Sequence, residues 1–227
     1  MRSIYIKLST YENTVIEKIL ENKKITFFEY LMVFFKSIFY LTEGLIRNIP
    51  GPIGIVIRRT YYKYIFIKMG KDVFISTDVI FHGPQNISCG NFVWFDSYSI
   101  YHIEKGKLII GNHVSLHSHV CISGRSKIVI SDYCALSSGA KIFSTSIKIS
   151  EKEKKIFHSM LPDSANDIKT AEVFMEENSI MLPNSSIGPG VTLKKGTIVL
   201  NNSSLNKNSE NYGIYNGNPA VLIGKRY

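Results

Sequence analysis

After residue 68 large apolar residues recur every six positions within periods of 20 or 21 residues, and after residue 174 every six positions throughout; this pattern limits the possible folds more than any other feature. An α-helix repeats its apolar face at about 3.6 residues and a half-buried strand at two, so a period of six fits neither. One interruption, after residue 146, breaks the register, which then resumes. The positions are Met69, Ile75, Phe81, Cys89, Phe95, Tyr101, Ile110, Leu116, Ile122, Ile130, Leu136, Ile142, Met175, Met181, Ile187, Leu193, Val199 and Leu205.

The period fits a coil with three short strands per turn, in which each strand points one large apolar residue inward. Successive turns then pair at about 4.8 Å, the spacing between neighbouring strands. Small or β-branched residues follow many of these positions by four, as at Val93, Ser99 and Ala140, and fill the corners. The sequence therefore predicts a mainly β fold, a parallel β-helix over residues 69–227.

The first 68 residues lack this period and are predicted to form a separate helical lead-in, domain 1–68. Helices are predicted over residues 12–21, 27–47 and 52–64, with the breaker Asn48-Ile-Pro-Gly-Pro before the third. Residues 1–71 hold 12 Lys and Arg against 5 Asp and Glu, whereas residues 72–227 hold 15 against 13. This uneven charge favours an anionic surface near one end and argues against a nucleic-acid partner.

The second predicted helix contains the one candidate membrane segment, residues 27–46. Glu29, Lys36 and Glu43 interrupt it at intervals of seven and fall on one side of a helix. Charges at the centre of a spanning helix are costly, so an amphipathic helix is expected instead. Its wide apolar face either packs on protein or lies in a membrane interface. Peripheral membrane contact through the lead-in is therefore one of two open interpretations.

The repeat is interrupted between about residues 147 and 172, where the chain is charged and contains Leu161-Pro-Asp. This segment is predicted to be a loop projecting from the coil, and long loops in compact folds are commonly functional. The three cysteines, Cys89, Cys121 and Cys134, form no CxxC or Cys/His spacing. They are expected to be reduced thiols, in a reducing compartment, and no metal is expected.

The hexapeptide ladder resembles the left-handed β-helix acyltransferases. Leu182-Pro-Asn-Ser-Ser-Ile-Gly-Pro-Gly-Val-Thr-Leu is similar to that family's "ilPGvtIG" stretch, and Tyr215-Asn-Gly-Asn-Pro-Ala-Val-Leu-Ile to its closing "GnPAkvI" signature. The segment Ile49-Pro-Gly-Pro-Ile-Gly, with Arg58-Arg59 and Gly70, resembles the branch that O-acetylates bacterial surface polysaccharide. The resemblance implies a left-handed coil, a homotrimer, and acetyl-CoA bound in a cleft between coils.

The implied chemistry needs a general base near the acceptor, and a histidine suits this near neutral pH. The resemblance puts that histidine at Ile147, which cannot take a proton. Repeat register places Asp96 and His117 side by side on neighbouring coils, where a carboxylate would orient the imidazole. His117 is therefore the leading candidate base with Asp96 as its partner, His119 is second, and His158 in the loop is third.

The resemblance also suggests the residues that meet the cofactor. Ile187 and Gly188 would line the upper part of the cleft, and Ser203 and Lys207 match a stretch that approaches the pantetheine and phosphate groups. Arg226 at the tail would meet the nucleotide phosphates. His82 and His102 form a second ladder, interpreted as a corner of the coil.

The function expected from these features is acetyl-CoA-dependent O-acetylation of a sugar in a bacterial surface polysaccharide or its precursor. Two alternatives stay open: N-acetylation of a nucleotide-linked amino sugar, and a non-catalytic β-helix scaffold. The expected partners are a sugar or glycan acceptor and two further copies of the chain. The expected location is the cytoplasm, at the inner face of a membrane if the lead-in touches lipid.

Overall fold

A computed structural model describes residues 1–103, 105–147 and 168–227. It begins with three helices, α1 (Arg2–Leu20), α2 (Phe27–Arg47) and α3 (Gly51–Lys63). The second and third match the predicted segments to within one residue, but α1 begins ten residues earlier than predicted. Tyr5, Leu8 and Val15 are buried along it, and their spacing is helical. The predicted division into two domains at residue 68 stays a prediction.

Three parallel sheets follow the helices and run along the length of the coil, with strands numbered in chain order. Sheet A contains β1 (Lys68–Met69), β4 (Ile87–Cys89), β7 (Lys107–Ile110), β10 (Lys127–Ile130), β15 (Val173–Met175) and β18 (Thr192–Leu193). Sheet B contains β2 (Phe74–Ile75), β5 (Val93–Phe95), β8 (Val114–Leu116), β11 (Ala135–Leu136), β16 (Ile180–Met181) and β19 (Ile198–Val199), and then β21 (Gly213–Gly217) and β22 (Ala220–Lys225). Sheet C contains β3 (Ile80–His82), β6 (Ile100–His102), β9 (Cys121–Ser123), β12 (Lys141–Phe143), β17 (Ser186–Ile187) and β20 (Ser204–Leu205).

The chain visits sheets A, B and C in turn and completes about six coils. The predicted mainly β class, a left-handed parallel β-helix with a helical N-terminal segment, is confirmed. Of the eighteen repeat positions, all but Met69 are buried, and Met69 packs partly buried on the same core. Because each short strand directs its repeat residue inward, the period of six becomes one continuous column of apolar residues.

The predicted projecting loop leaves the coil after β12. Its two ends form an antiparallel pair, β13 (Thr145–Ile147) and β14 (Ile168–Thr170), with Thr145 opposite Thr170. Residues 148–167, including the candidate base His158, lie outside the described residues. At the far end of the coil, β21 and β22 form an antiparallel hairpin that extends sheet B.

Helix α2 has its polarity reversed relative to an ordinary surface helix. The charged stripe, Glu29, Lys36 and Glu43, faces the protein, and Lys36 is 1% exposed and Glu43 8% exposed. Most of the apolar face points away from the rest of the chain, although the ring of Phe28 lies edge-on to Tyr11 of α1 at 5.6 Å. Its most exposed members are Phe27, Phe28, Leu31, Phe34, Phe35, Ile38, Leu41 and Leu45. Within one copy of the chain this face is left exposed, so the choice between packing on protein and lying in a membrane interface stays a prediction.

Arg58 of α3 connects the helices to the first coil. Its guanidinium is buried and donates to the carbonyls of Ile46, Arg47 and Ile49 at 2.8–3.1 Å, and to that of Ile75 in β2 at 2.9 Å. The last carbonyls of a helix have no partner within the helix. One side chain therefore satisfies the end of α2 and fixes it on the coil. No helix in the described part of the chain is long and apolar enough to cross a membrane.

The three cysteines are free thiols, as predicted. Burial raises the pKa of Cys89 to about 12 and that of Cys134 to about 11. Both thiols line the coil interior as small apolar groups, so neither offers a reactive thiolate at neutral pH.

Candidate functional site

The candidate residues are distributed over the three edges of the coil, where the chain turns from one sheet to the next. The B–C edge comprises residues 76–79, 96–99, 117–120, 137–140, 182–185 and 200–203. The C–A edge follows each strand of sheet C, and the A–B edge follows each strand of sheet A. Residues with the same offset in successive coils lie above one another along one edge, so an edge presents a ladder of side chains.

The B–C edge brings Asp96 and His117 into neighbouring positions, as the repeat predicts. Phe95 pairs with Leu116, and the amide of Asp96 donates to the carbonyl of Leu116 at 2.8 Å. The carboxylate of Asp96, however, accepts from the hydroxyl of Ser118 at 2.8 Å and from the amide of Ser97 at 2.7 Å.

His117 turns its ring toward Trp94 instead of Asp96. The two ring centroids are 5.6 Å apart in an edge-on arrangement. In the described part of the chain no hydrogen bond joins the Asp96 carboxylate to the His117 imidazole. The structure therefore does not show the predicted contact by which Asp96 would orient His117. The left-handed turn of the edge places the Ser118 hydroxyl within hydrogen-bond distance of the Asp96 carboxylate, which it binds in place of His117. His117 remains half-exposed at the surface of the coil.

His119 lies two positions further along the same edge and is exposed. It adopts a left-handed backbone with φ of 61°, as does Tyr98 one coil below, and the two rings stack at 5.4 Å. Every coil turns this edge with a left-handed residue, and later coils use Gly139, Asn184 and Asn202. Those residue types adopt this conformation at low cost, whereas Tyr and His do so less readily. The second and third coils display aromatic rings at this position, whereas the later coils display glycine or asparagine.

A second aromatic ladder occupies the A–B edge and was not identified from the sequence. Phe92, His113 and Tyr133 stack at 4.7 Å and 5.1 Å with nearly parallel rings. A cavity of about 290 Å³ lies beside them, and Phe74 and Trp94 also line it. The signal was present in the sequence, because the three residues share one offset in successive coils.

Ile147, where the resemblance expects a histidine, lies at the end of β13 and is exposed. Close to it on the C–A edge is a cavity of about 150 Å³ lined by His102, Lys105, Ser123, Gly124, Arg125 and Thr145. His102 pairs in register with His82 and Ser123, and the two imidazole rings are 5.1 Å apart. The edge where the family's histidine is expected therefore offers His102 and Arg125 in place of Ile147. The sequence alone favours only a corner of the coil for this histidine ladder.

The proposed cofactor residues also occupy different edges. Gly188 and Lys207 lie beyond strands β17 and β20 on the C–A edge, and Ile187 is buried beneath them, so only its backbone reaches the surface. Ser203 is buried at the B–C edge. Its hydroxyl accepts from the amide of Gly217 at 3.0 Å and donates to Asn216 at 3.2 Å, which joins the closing hairpin to the last coil.

Arg226 lies on the A–B edge, where its guanidinium donates to the carbonyls of Asn178 at 3.3 Å and Gly196 at 3.1 Å. These bonds hold the C-terminal tail on the coil. Within one copy of the chain, Arg226 is thus separated from Gly188 and Lys207 by the width of a sheet. In residues 1–103, 105–147 and 168–227, no three His, Cys, Asp or Glu side chains converge as metal ligands.

Comparison with known proteins identifies acyltransferases of the same architecture. No protein-family model matches the chain. It is 28% identical over 161 residues to the dTDP-4-amino-4,6-dideoxy-D-glucose acyltransferase of Escherichia coli, an alignment that covers 71% of this chain and 83% of that protein.

Two groups of solved structures share the fold. AntD, an N-acyltransferase from Bacillus cereus solved with dTDP and coenzyme A, superposes with a TM-score of 0.68 at 25% identity, covering 75% of this chain and 90% of AntD. AntD with dTDP and 3-hydroxybutyryl-CoA gives a TM-score of 0.67. A hexapeptide-repeat acetyltransferase of Vibrio cholerae in complex with acetyl-CoA matches 92% of this chain at 14% identity and a TM-score of 0.58, a likeness of fold alone.

The coil is a hexapeptide-repeat β-helix, and the proteins that it resembles in sequence and in fold are acyltransferases. The predicted enzyme class, an acyltransferase, is confirmed at this level. The relatives that are most similar in sequence among these are named as acting on a dTDP-linked amino sugar or as an N-acyltransferase, whereas the O-acetylating branch that the lead-in segment resembles stays a prediction.

Proposed function

We propose that the chain is a CoA-dependent N-acyltransferase whose acceptor is the amino group of a nucleotide-linked amino sugar. The similarity to the E. coli dTDP-4-amino-4,6-dideoxy-D-glucose acyltransferase carries the proposal, because it extends over most of both chains. The AntD complexes support it, since they hold dTDP together with coenzyme A or an acyl-CoA. This reaction is the first of the alternatives left open by the sequence, and it replaces O-acetylation as the favoured one.

The residue at position 147 supports an amine acceptor. A sugar hydroxyl must lose its proton as it attacks a thioester, so O-acetylation depends on a base. An amine of the α-amino type has a pKa of about 7.7–8.0 and is partly neutral, hence already nucleophilic, near neutral pH. Ile147 offers no base at the usual histidine position. An isoleucine at this position therefore lowers the rate of N-acylation less than it would lower the rate of O-acetylation.

The reaction forms one bond and breaks one. The neutral amine nitrogen attacks the thioester carbonyl carbon, the carbon–sulfur bond breaks, and the sulfur leaves as the CoA thiolate. The nitrogen then gives up a proton. His117, half-exposed on the B–C edge, is the proposed acceptor of that proton, with His119 second. Asp96 acts in this proposal by holding Ser118, and through it the turn that carries His117.

The C–A edge is the proposed cofactor surface. A Cβ placed on Gly188 would meet only the Oδ1 of Asn206, at 3.8 Å, so there is open space above this backbone for a pantetheine chain to approach closely. Lys207 is exposed beside it and offers a positive charge for phosphate. Because His117 lies on a different edge, a single copy does not join the two sets. A homotrimer, in which one edge of a copy faces another edge of its neighbour, would join them and is part of the proposal.

The test uses acetyl-CoA with two acceptors that differ at the sugar. The purified protein is incubated with dTDP-4-amino-4,6-dideoxyglucose or with dTDP-glucose, which offers hydroxyl groups only. Release of free thiol and a product heavier by one acetyl group are expected with the amino sugar alone. Turnover with dTDP-glucose but not the amino sugar would favour O-acetylation, and failure to bind acetyl-CoA would favour the non-catalytic scaffold.

A further inference from the structure

The exposed side of α2 carries an unbroken apolar surface. Phe27, Phe34, Ile38, Leu41 and Leu45 follow the helix from its first residue to its last turn, and all are at least half exposed. Between Phe27 and Leu45 the only charged residues are the three of the charged stripe, which face inward. The apolar face therefore extends along the whole helix without a charge.

The area of this face is large for a surface left in water. The exposed fractions of Phe27, Phe28, Phe34 and Phe35 are 83%, 53%, 65% and 44%. At about 200 Å² for each side chain, these four residues alone present roughly 500 Å². The largest apolar patch on a typical monomer is about 300–600 Å² and is often functional. With its leucines and Ile38 the face exceeds that range. An apolar surface of this size is typical of a site that another molecule or a membrane covers.

The charged stripe is held inward by specific contacts, so the reversal of α2 is not a loose packing. The ammonium of Lys36 lies 3.0 Å from the ring centre of Tyr5. The hydroxyls of Tyr5 and Tyr61 both donate to Glu43 at 3.4 Å. Lys18 pairs with Glu29 at 2.6 Å, and Thr26 forms a capping box with Glu29 at the start of α2. These contacts fix which side of the helix faces out.

The charge around the face is complementary to an anionic surface. Each of the five acidic residues of the lead-in is engaged by the chain itself: Glu12 by Tyr40, Glu17 by Lys105, Glu21 by Lys23, Glu29 by Lys18, and Glu43 by Tyr5 and Tyr61. Lys7, Lys24 and Lys63 are exposed. Lys24 lies just before the first phenylalanines of α2, so a basic group adjoins the apolar face.

From this arrangement we infer that the apolar face of α2 lies in the interface of an anionic phospholipid membrane, with the lead-in's lysines at the headgroups. A long apolar face next to basic residues is the composition of interfacial helices. Phospholipid supplies both an apolar medium for the phenylalanines and negative charge for the lysines. Anionic lipid marks the cytoplasmic leaflet, which agrees with the expected location. The inference is independent of the acceptor proposed above.

The test is co-sedimentation of the full chain with vesicles of phosphatidylglycerol or of phosphatidylcholine. The test variant is Phe34→Gln/Leu41→Gln, because both side chains are exposed and glutamine keeps a high helix propensity. The matched control is Val221→Gln/Ile223→Gln, a pair of similar exposure on β22 at the other end of the coil. Circular dichroism verifies that both variants fold as the wild type does.

We expect the wild type and the control to sediment with phosphatidylglycerol vesicles, and more weakly with phosphatidylcholine. The α2 variant should partition at least tenfold less, since each buried large apolar side chain contributes more than a tenfold factor. Wild-type protein that stays in the supernatant with both vesicles would overturn the inference. If it did so while the α2 variant lost mass in light scattering, the face would belong to a contact with a second copy.

Discussion

The pH dependence of stability that Glu43 causes tests whether α2 buries its charged stripe. Burial raises the pKa of Glu43 from 4.5 to about 7, and Lys36 and the hydroxyls of Tyr5 and Tyr61 offset only part of the increase. A tenfold change in a proton equilibrium corresponds to about 1.4 kcal/mol, so ionised Glu43 costs the folded state roughly 3 kcal/mol. The substitution Glu43→Gln retains an oxygen that accepts the two hydroxyls and removes the titration.

The direction of the pH effect follows from which state holds the proton. Below about pH 4.5 both states are protonated at Glu43 and no penalty arises. Between about pH 4.5 and pH 7 the unfolded chain has lost the proton and the folded chain retains it, so the free energy of unfolding falls as the pH rises. Above pH 7 the full penalty is present. The stability of Glu43→Gln relative to the wild type should therefore increase by roughly 3 kcal/mol across this window.

Urea unfolding followed by far-UV circular dichroism at about pH 5 and about pH 8.5 measures this difference. Comparing variant with wild type at each pH cancels the titration of every other group. Glu12→Gln is the matched control, since Glu12 lies in α1, which packs against the α2 helix that carries Glu43. Its side chain is half-buried and accepts a hydrogen bond from the Tyr40 hydroxyl. A stability difference for Glu43→Gln that stays constant between the two pH values would refute the argument, because Glu43 would then be ionised in both states.

Two further substitutions test the helix anchor and the candidate base. Arg58→Met should destabilise the protein by several kcal/mol, at about 1–3 kcal/mol for each buried carbonyl left without a donor, whereas Arg59→Met, its half-exposed neighbour, should change stability little; thermal unfolding compares them. Equal stabilities would contradict the anchoring role. His117→Ala should lower kcat with the amino-sugar acceptor by about 10²–10⁴, and His113→Ala on the A–B edge should not. Unchanged turnover in His117→Ala would contradict His117 as the base and would favour His119 or His102.

The coil could be predicted from the sequence because each of its strands is specified locally. One apolar residue in six must point inward. Ile142 and Met175 both do so, although an interruption of about thirty residues separates them. In each sheet the last strand before the interruption pairs directly with the first coil strand after it, as β10 does with β15, β11 with β16 and β12 with β17. A solenoid tolerates such an insertion because each coil contacts only its neighbours, so a loop leaves the register of the next coil unchanged.

The orientation of α2 could not be predicted from the same kind of pattern. A helical period shows that two faces differ, but it does not show which face the protein buries. Apolar burial is the usual outcome and polar burial requires partners from elsewhere in the sequence. Those partners are Tyr5 in α1, which contacts both Lys36 and Glu43, and Tyr61 in α3. Only the packing of three helices determines that they meet the charged stripe.

Repeat register has a similar limit at the candidate site. It correctly places Asp96 beside His117, yet the carboxylate binds Ser118, whose hydroxyl the left-handed turn brings within reach. Register fixes the edge on which a residue lies, whereas side-chain rotamers decide its partner. Because every coil repeats the same three edges, residues needed for one reaction can occupy separate edges of one chain and meet only across copies. His117 on the B–C edge and Lys207 on the C–A edge are in that position. If the proposed homotrimer forms, it and not the single coil is therefore the unit in which the proposed acyl transfer has to be tested.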